Sequence, residues 1–262
     1  MKFYLEILKL IKNIVILKKS NGEAIKIFCN NNGLAYIKLA QILATQNYGT
    51  FFSEEDRRDL EAICDNSNPL SFDEIKSILI SEYGDLEKTF LSIEEIPLGS
   101  ASISQVHKAT LKDGTVVALK IKRRDITNTL ETDLKRLSKI ITSYISFLRK
   151  HSHVRTIISK FIPILNLNNQ SGFDKAFLLY YSWVLDETDF IHEAQNIASY
   201  TNFAKQVNGK IPDVKDIVIP KIYSDLCSEN VIVMEYISFP NFNHIDDNDA
   251  KLTALNSYLK LS

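Results

Sequence analysis

The stretch PLGSASISQVHKATLKDGTVVALK, residues 97–120, decides the fold of this chain. Residues 103–111 and 115–122 have an approximately alternating pattern of apolar and polar side chains, interrupted by the apolar run 116–119, and a period near two is typical of a β-strand. The dipeptide Asp113-Gly114 lies between them and is a strong signal for a tight hairpin turn. The sequence therefore predicts an antiparallel hairpin whose second strand carries a lysine near its end.

The second predicted strand places Lys120 beside small apolar side chains. Because side chains on a strand alternate, Ala118 and Lys120 lie on the same face, together with Val116. In a nucleotide site, a small alanine leaves room for adenine, and a lysine two residues later reaches the α and β phosphates. A lysine that extends from a strand into solvent has the same pattern, so the hairpin alone leaves both interpretations open.

A loop of small residues precedes the hairpin. It consists of Gly99, Ser100, Ala101 and Ser102, where backbone N–H groups would cover phosphates. Glycine permits close approach and unusual dihedral angles, whereas alanine and serine restrict them. We interpret the loop as a candidate phosphate-covering element that lacks the usual run of glycines.

Composition excludes several classes of protein. The chain has 262 residues, of which 45% are hydrophobic and 24% charged, as in an ordinary globular protein. Its net charge of -1 provides no basic field, so no nucleic-acid partner is expected. Cys29, Cys64 and Cys227 are too far apart for a CxxC metal pair or a disulfide framework. We therefore expect a cytoplasmic protein with no metal site within these residues.

The N-terminal segment, residues 1–19, is apolar but interrupted by charges. Glu6, Lys9 and Lys12 leave no run of the ~20 apolar residues that a membrane-spanning helix needs. The pattern predicts an amphipathic helix with lysines on one side. Such a helix docks on the rest of the protein or lies peripherally on an anionic membrane surface, and the sequence leaves both open.

Periodicity predicts helices on both sides of the hairpin. Ser53 and Ser71 each precede an acid by three residues, which is the capping-box signature of a helix start, and Gly84 marks a helix end. Residues 1 to about 92 are predicted to be helical, and further helices are predicted at 153–166, 171–206 and 250–261. The helix after the hairpin has an apolar face formed by Leu130, Leu134, Leu137, Ile141 and Ile145. Strands are predicted at residues 93–99, 216–226 and 231–237, with a polar loop at 241–249.

Three of the acids in residues 186–200 are candidate partners of the lysine: Glu187, Asp189 and Glu193. Phosphate-binding lysines are positioned by a glutamate on a nearby helix, and Glu193 is assigned to this salt bridge with Lys120. On one continuous helix, Glu187 would project in a different direction from Glu193, so Glu187 and Asp189 are left for a second purpose. A solvated helix face is the alternative for each of these acids.

Four motifs follow one another in this chain: YIKLAQILATQ (36–46), residues 97–126, ETDFIHEAQN (187–196) and IPKIYSDLCSENVIVMEYI (219–237). Together they resemble the UbiB (AarF-like) family of atypical kinases. The motifs match the KxGQ helix of that family, its alanine-rich loop with the nucleotide lysine, its ExD element and its hinge strand. The resemblance implies that Lys120 and Glu193 bind ATP together with the loop, Ala118 and the hinge residues Met234, Glu235 and Tyr236.

The resemblance also implies a regulatory purpose for the KxGQ helix. Lys38 and Gln41 share one face of that helix, which in the family folds over the nucleotide cleft, and Glu187 and Asp189 would be their neighbours. Without the family, Lys38 and Gln41 would be interpreted as solvated surface residues. Ala40 replaces the family's glycine, so its methyl group is expected against neighbouring backbone.

The sequence departs from the family in the loop of small residues and in the catalytic motifs. The loop has Gly99 and Ser100 where the family has alanines, and no HGDxHxGN or DFG motif occurs in these 262 residues. The catalytic aspartate and the ligands of Mg²⁺ are therefore expected beyond Ser262, so we expect a fragment or a truncated product. Whether this chain is itself an enzyme is left open.

The predicted fold class is α+β, a protein-kinase-like N-lobe of antiparallel sheet plus helix. Its expected parts are a helical extension (1–92), the N-lobe with a helical insert (93–240), and a hinge exit with the start of a C-lobe (241–262). The expected function is the ATP-binding portion of a UbiB-type kinase or ATPase that supports isoprenoid-quinone or lipid metabolism at a membrane. The alternatives are an inactive pseudokinase or scaffold, and a membrane-peripheral, lipid-binding helical module.

Overall fold

The computed structural model describes residues 9–10, 12–14, 16–45, 53–61, 68–151, 153, 170–207 and 218–238. The chain divides into two compact units. We call them the helical unit (1–67 and 125–188) and the sheet unit (68–124 and 189–262). Most of the predicted N-terminal amphipathic helix lies outside the described residues, as do the predictions for 154–166 and 241–262.

The helices in chain order are α1 (Asn21–Asn32), α2 (Leu34–Thr45), α3 (Glu54–Glu61), α4 (Phe72–Tyr83), α5 (Leu86–Thr89), α6 (Ile126–Lys150), α7 (Gln170–Asp186) and α8 (Phe190–Val207). Helices α1, α2, α3, α6 and α7 belong to the helical unit, and α4, α5 and α8 belong to the sheet unit. Within the described ranges, no helix combines the length and the apolar character needed to cross a bilayer.

The sheet unit is built on a five-stranded antiparallel sheet. Its strands are β1 (Phe90–Ile93), β2 (Gly99–Ser100), β3 (Ser104–Leu111), β4 (Val116–Lys122) and β5 (Val231–Glu235). They follow the order β1-β3-β4-β5, and β2 pairs with β3. Strands β3 and β4 form the predicted hairpin, and its turn uses Gly114 at φ 87°, a conformation that favours glycine. The predicted α+β class, a kinase-like sheet with helices, is confirmed.

One face of the sheet forms the core of this unit. Val117, Leu119 and Ile121 of β4 are fully buried and pack with β5 residues such as Val233. Ile78 of α4 belongs to the same cluster, together with its helix neighbours Ile75 and Leu79. Because side chains alternate along β4, burial of these odd positions directs Ala118 and Lys120 to the opposite face.

Several helix signals in the sequence are confirmed. The Ser71 side chain accepts a hydrogen bond from the Glu74 N–H, and the Glu74 carboxylate accepts one from the Ser71 N–H at 2.9 Å, so the predicted capping box starts α4. Gly84, at φ 68°, ends that helix. On α6, Leu130, Leu134 and Leu137 are buried as predicted. Ile141 is half-buried, and the side chain at position 145 lies outside the described residues.

The predicted strand boundaries are wrong at two prolines, which lack the N–H group that a strand ladder uses. The strand predicted at 93–99 is instead β1, which ends at Ile93, and β2, which begins after Pro97. Of the strand predicted at 216–226, the described part forms only a single bridge from Ile222, after Pro220, and then a 3₁₀ turn over Ser224–Leu226. β1 also corrects the prediction of helix up to residue 92.

The helix predicted at 171–206 is also wrong, because it is two helices, α7 and α8, separated at residues 187–189. Asp189 starts α8: its Oδ1 accepts a hydrogen bond from the His192 N–H at 2.9 Å, and its carbonyl accepts one from the Glu193 N–H at 3.0 Å. An aspartate at this position satisfies N–H groups that have no partner within the helix. Because of this break, Glu187 lies in the turn after α7, whereas Glu193 lies in the first turn of α8.

Candidate functional site

Lys120, near the end of β4, pairs with Glu193 of α8 inside the sheet unit. The Lys120 Nζ lies 2.5 Å from Oε1 and 2.7 Å from Oε2 of Glu193. The Lys120 side chain is 20% exposed and the Glu193 side chain 33%. The structure therefore brings together the two residues that the sequence paired, while their role in nucleotide binding stays a prediction.

The face of the sheet that carries Lys120 packs against α8. Ala118 pairs with Met234 across β4 and β5, and Lys120 pairs with Ile232. Ile232 is fully buried against Phe190 of α8. The Lys120 Nζ lies 4.8 Å from the centroid of the Phe190 ring, within the range of a cation–π contact. Helix α8 thus holds the lysine with a carboxylate and with the face of an aromatic ring.

A second cation, Lys122, lies on the same face and was not singled out from the sequence. Its Nζ is 5.2 Å from the centroid of the Phe190 ring. Burial lowers the pKa of Lys122, and the carboxylates of Glu229, Asp189 and Glu82 act in the opposite direction. The electrostatic field on this side of α8 therefore comes from two lysines and from acids on several segments.

The loop of small residues is folded back onto β3. Gly99 and Ser100 form β2, and the Ala101 N–H donates a hydrogen bond to the Ser104 carbonyl at 2.8 Å. Gly99 and Ala101 are exposed, whereas Ser102 is half-buried. A Cβ atom added at Gly99 would meet no heavy atom within 4 Å, so this position has no steric need for glycine. The loop is ordered by hydrogen bonds to the strand that follows it.

The predicted hinge residues continue β5. Met234 lies opposite Ala118, and Glu235 is the last residue of the strand. The ring of Tyr236, which follows, has its centroid 5.2 Å from Nζ of Lys108, a lysine on β3. Met234 and Tyr236 are half-buried, and Glu235 is exposed. These residues therefore lie at the end of the strand next to the candidate adenine-side alanine.

Lys38 of α2 is buried within the helical unit. It is 5% exposed and forms an ion pair with Glu187, directly after α7. Its Nζ also lies 5.9 Å from the centroid of the Trp183 ring. Ala40 is fully buried, and Gln41 is half-buried. The interpretation of Lys38 as a solvated surface residue is therefore wrong.

Two further contacts fix the first turn of α2. The Tyr180 hydroxyl of α7 donates a hydrogen bond to the Ala35 carbonyl, and burial raises the pKa of this tyrosine. The carboxyl group of Asp133, from α6, is buried beside Gly33. Burial raises the pKa of Asp133, and hydrogen bonding from the backbone N–H groups of Leu34 and Ala35 partly offsets this effect. Helices α6 and α7 thus position the helix that carries Lys38.

Four polar residues with structural contacts were not singled out from the sequence: Gln105, His107, Arg123 and Asp133. Gln105 and His107 are fully buried on the β3 face that also carries Ala109 and Leu111. A glutamine and a histidine at apolar positions of an alternating strand are a sequence signal for a buried hydrogen-bonded network. Arg123 gave no such signal, because its partners are distant in the sequence. Asp133 has a local partner in Arg136, three residues along α6, but its burial beside Gly33 joins positions 100 residues apart.

Comparison with known proteins adds to this geometry. Residues 62–257 match the ABC1 atypical kinase-like domain. The chain is 32% identical over 221 residues to a Clostridium pasteurianum protein named for the hydrogenase 1 5' region, covering 84% of this chain and 36% of that protein. It is 30% identical over 221 residues to the "Probable protein kinase UbiB" of Shewanella halifaxensis, again covering 84% and 36%. The chain therefore spans just over a third of the length of these relatives.

Among solved structures, the chain is similar to Rv3197 of Mycobacterium tuberculosis, whose structure was determined in complex with erythromycin. The TM-score is 0.46 at 21% sequence identity, and the similarity covers 93% of this chain and 50% of that chain.

Proposed function

Because the chain belongs to the ABC1 atypical kinase-like family, we propose that its sheet unit binds ATP and that Lys120 contacts the phosphates. The observation that supports this proposal is the position of the lysine ammonium, which lies against both carboxylate oxygens of Glu193 and above the ring of Phe190. A lysine positioned by a helix glutamate is the arrangement with which kinases hold the α and β phosphates. Glu193 thus holds the Lys120 ammonium in one position on a partly exposed face.

The remaining residues of the sheet unit complete the proposed nucleotide site. Ala118 lies opposite Met234 and leaves space for adenine, and Glu235 and Tyr236 would form the hinge beside it. The loop at residues 99–102 would cover the phosphates. Mg²⁺ is proposed as the partner ion of ATP, where it neutralises phosphate charge. The part of the chain that the structure describes has no group of three His, Cys, Asp or Glu residues that could hold a metal. We therefore assign none of the described residues as a ligand of Mg²⁺.

A regulatory role is proposed for Lys38, Gln41, Glu187 and Asp189. Burial of the Lys38–Glu187 pair supports it, because a change in that pair would shift the position of α2. For the whole protein, the family resemblance supports ATP-dependent activity in isoprenoid-quinone or lipid metabolism at a membrane.

Nucleotide titration of single variants tests the proposed ATP site. Lys120→Met removes the ammonium and should weaken ATP binding by roughly 10- to 100-fold, the usual loss for a hydrogen bond to a charged group. Glu193→Gln, which frees the lysine, should have a smaller effect. Lys112→Met removes an exposed lysine from the hairpin turn and is the matched control. Calorimetry with a non-hydrolysable ATP analogue gives the dissociation constants. Equal affinities for wild type and Lys120→Met, or no binding at millimolar nucleotide, would contradict the proposal.

A further inference from the structure

A buried hydrogen-bonded network connects β3 to the loop at residues 99–102. The His107 Nδ1 lies 2.8 Å from the Glu94 carbonyl, and its Nε2 lies 2.9 Å from the Gln105 Nε2. A carbonyl oxygen only accepts hydrogen bonds, so the proton of the neutral ring is on Nδ1 and the Nε2 atom accepts from the Gln105 amide. The histidine therefore fixes the orientation of the Gln105 side chain.

Every hydrogen-bonding group of the Gln105 side-chain amide has a partner. Its nitrogen donates to the Nε2 of His107 and, at 3.2 Å, to the Leu70 carbonyl. Its oxygen accepts from the Leu70 N–H at 2.8 Å and from the Ser100 hydroxyl at 3.4 Å. Because both amide hydrogens and the oxygen have partners, rotation of the side chain would leave buried polar groups unsatisfied. Gln105 thus connects the loop to the segment before α4.

Arg123, directly after β4, holds the same loop from the other side. Its Nε donates to the Ala101 carbonyl at 3.1 Å, and one terminal nitrogen donates to the Ser100 hydroxyl at 3.0 Å. The same nitrogen donates to the Asn68 carbonyl at 2.8 Å. The planar guanidinium therefore joins the loop to the segment in which Gln105 contacts Leu70. Ser100 is the residue at which both sets of hydrogen bonds meet.

We propose that Ser100, Gln105 and Arg123 are positioning residues that hold the loop at 99–102 in one conformation before any ligand binds. The proposal deepens the proposed ATP site and rests on it for the identity of the ligand. A loop that contains alanine and serine has fewer backbone conformations than a run of glycines, and side-chain hydrogen bonds with Gln105 and Arg123, on two segments, restrict it further. A preformed loop loses little conformational freedom on binding, so its N–H groups meet phosphates at a small entropic cost.

Two variants test the proposal without disturbing the buried histidine. Arg123→Lys keeps the charge but loses the planar group that reaches three acceptors, and Ser100→Ala removes the shared hydroxyl. The matched control is Arg124→Lys, since Arg124 is exposed and donates to the Ser77 hydroxyl instead. In the protein without nucleotide, exchange of the Ala101 amide hydrogen should be about 10-fold faster in both variants and unchanged in the control, as expected for the loss of one or two hydrogen bonds.

Nucleotide affinity provides the second measurement. ATP binding should weaken by about 10-fold in Arg123→Lys, while adenosine, which has no phosphates, should bind as to wild type. A general loss of folding would reduce both affinities, so the ratio of ATP to adenosine affinity isolates the loop.

The two measurements separate the two proposals. Unchanged Ala101 exchange in both variants would overturn the positioning role, whatever binds. Faster exchange in a protein that binds no ATP would uphold the positioning role and overturn the proposed function. Faster Ala101 exchange with ATP and adenosine affinities both equal to those of wild type would overturn the assignment of the loop to phosphates.

Discussion

Replacing Gly33 with alanine tests how α2 is positioned. Gly33 has φ 121° and ψ 179°, a backbone conformation that is essentially restricted to glycine. A Cβ atom built there would lie 2.2 Å from Oδ2 and 2.8 Å from Cγ of Asp133, which is far inside van der Waals contact. The methyl group can fit only if the buried Asp133 carboxylate, whose Oδ2 has no hydrogen-bond partner among the described residues, moves away from the start of α2.

The two costs of the substitution can be estimated separately. The backbone conformation costs about 1–3 kcal/mol for a residue other than glycine. Displacing the Asp133 carboxylate removes its contacts with α2, which adds about 1–2 kcal/mol. We therefore expect Gly33→Ala to lower the free energy of unfolding of the helical unit by about 3 kcal/mol. With a urea dependence of about 2 kcal/mol per molar, the unfolding midpoint should fall by roughly 1.5 M.

Trp183 makes this measurement direct, because it is the single tryptophan of the chain and lies in the helical unit. Its fluorescence during urea unfolding gives the midpoint. Asn31→Ala, at an exposed position of α1, is the control and should change the stability by less than about 0.5 kcal/mol. In an Asp133→Ala background the collision is absent, so Gly33→Ala should cost only its backbone term. A Gly33→Ala midpoint equal to that of wild type, or the same cost in both backgrounds, would refute the reasoning.

Two further predictions concern chemical reactivity. The 262-residue chain should not hydrolyse ATP with Mg²⁺, because phosphoryl transfer needs a positioned base and metal ligands and the sequence has no HGDxHxGN or DFG motif. Turnover in a phosphate-release assay that is lost in Lys120→Ala would contradict this. Burial raises the pKa of Cys29 to about 12, so at pH 8 only about one thiol in ten thousand is ionised. In a Cys64→Ser, Cys227→Ser background, a disulfide reagent should therefore react slowly with the native protein and rapidly in urea, whereas fast native reaction would show that Cys29 is accessible.

The central hairpin could be predicted because its signals are local. Alternation in residues 103–111 and 115–122 and a glycine at the turn specify both strands, and the observed pairing follows from them. The face of Lys120 was predictable for the same reason, since the core takes the odd positions of β4. Its partner, Glu193, could not be found from local pattern, because 73 residues separate the two side chains, and the pairing rested on the chemistry of kinase lysines and on the family resemblance.

The failures arise where a tertiary contact overrides a local pattern. β1 begins at Phe90, inside a segment with helical spacing, because that ring is buried in the sheet core. The break between α7 and α8 had a local signal, the capping aspartate Asp189, but the apolar spacing on both sides concealed it. Burial of Lys38 could not be predicted from spacing at all, since its partner Glu187 is 149 residues away.

The two lysine–glutamate pairs differ in how accessible the ammonium is to another anion. Lys38 is 5% exposed, so removing the carboxylate of Glu187 would leave a buried charge without compensation, at a cost of about 3–5 kcal/mol. The side chains of Lys120 and Glu193 are 20% and 33% exposed, so the ammonium can be reached by a second anion while it stays paired with the carboxylate. The first pair is therefore suited to fixing α2 within the helical unit. The second keeps its ammonium open to a further anion while the glutamate positions it, which is the arrangement that the proposed nucleotide contact needs.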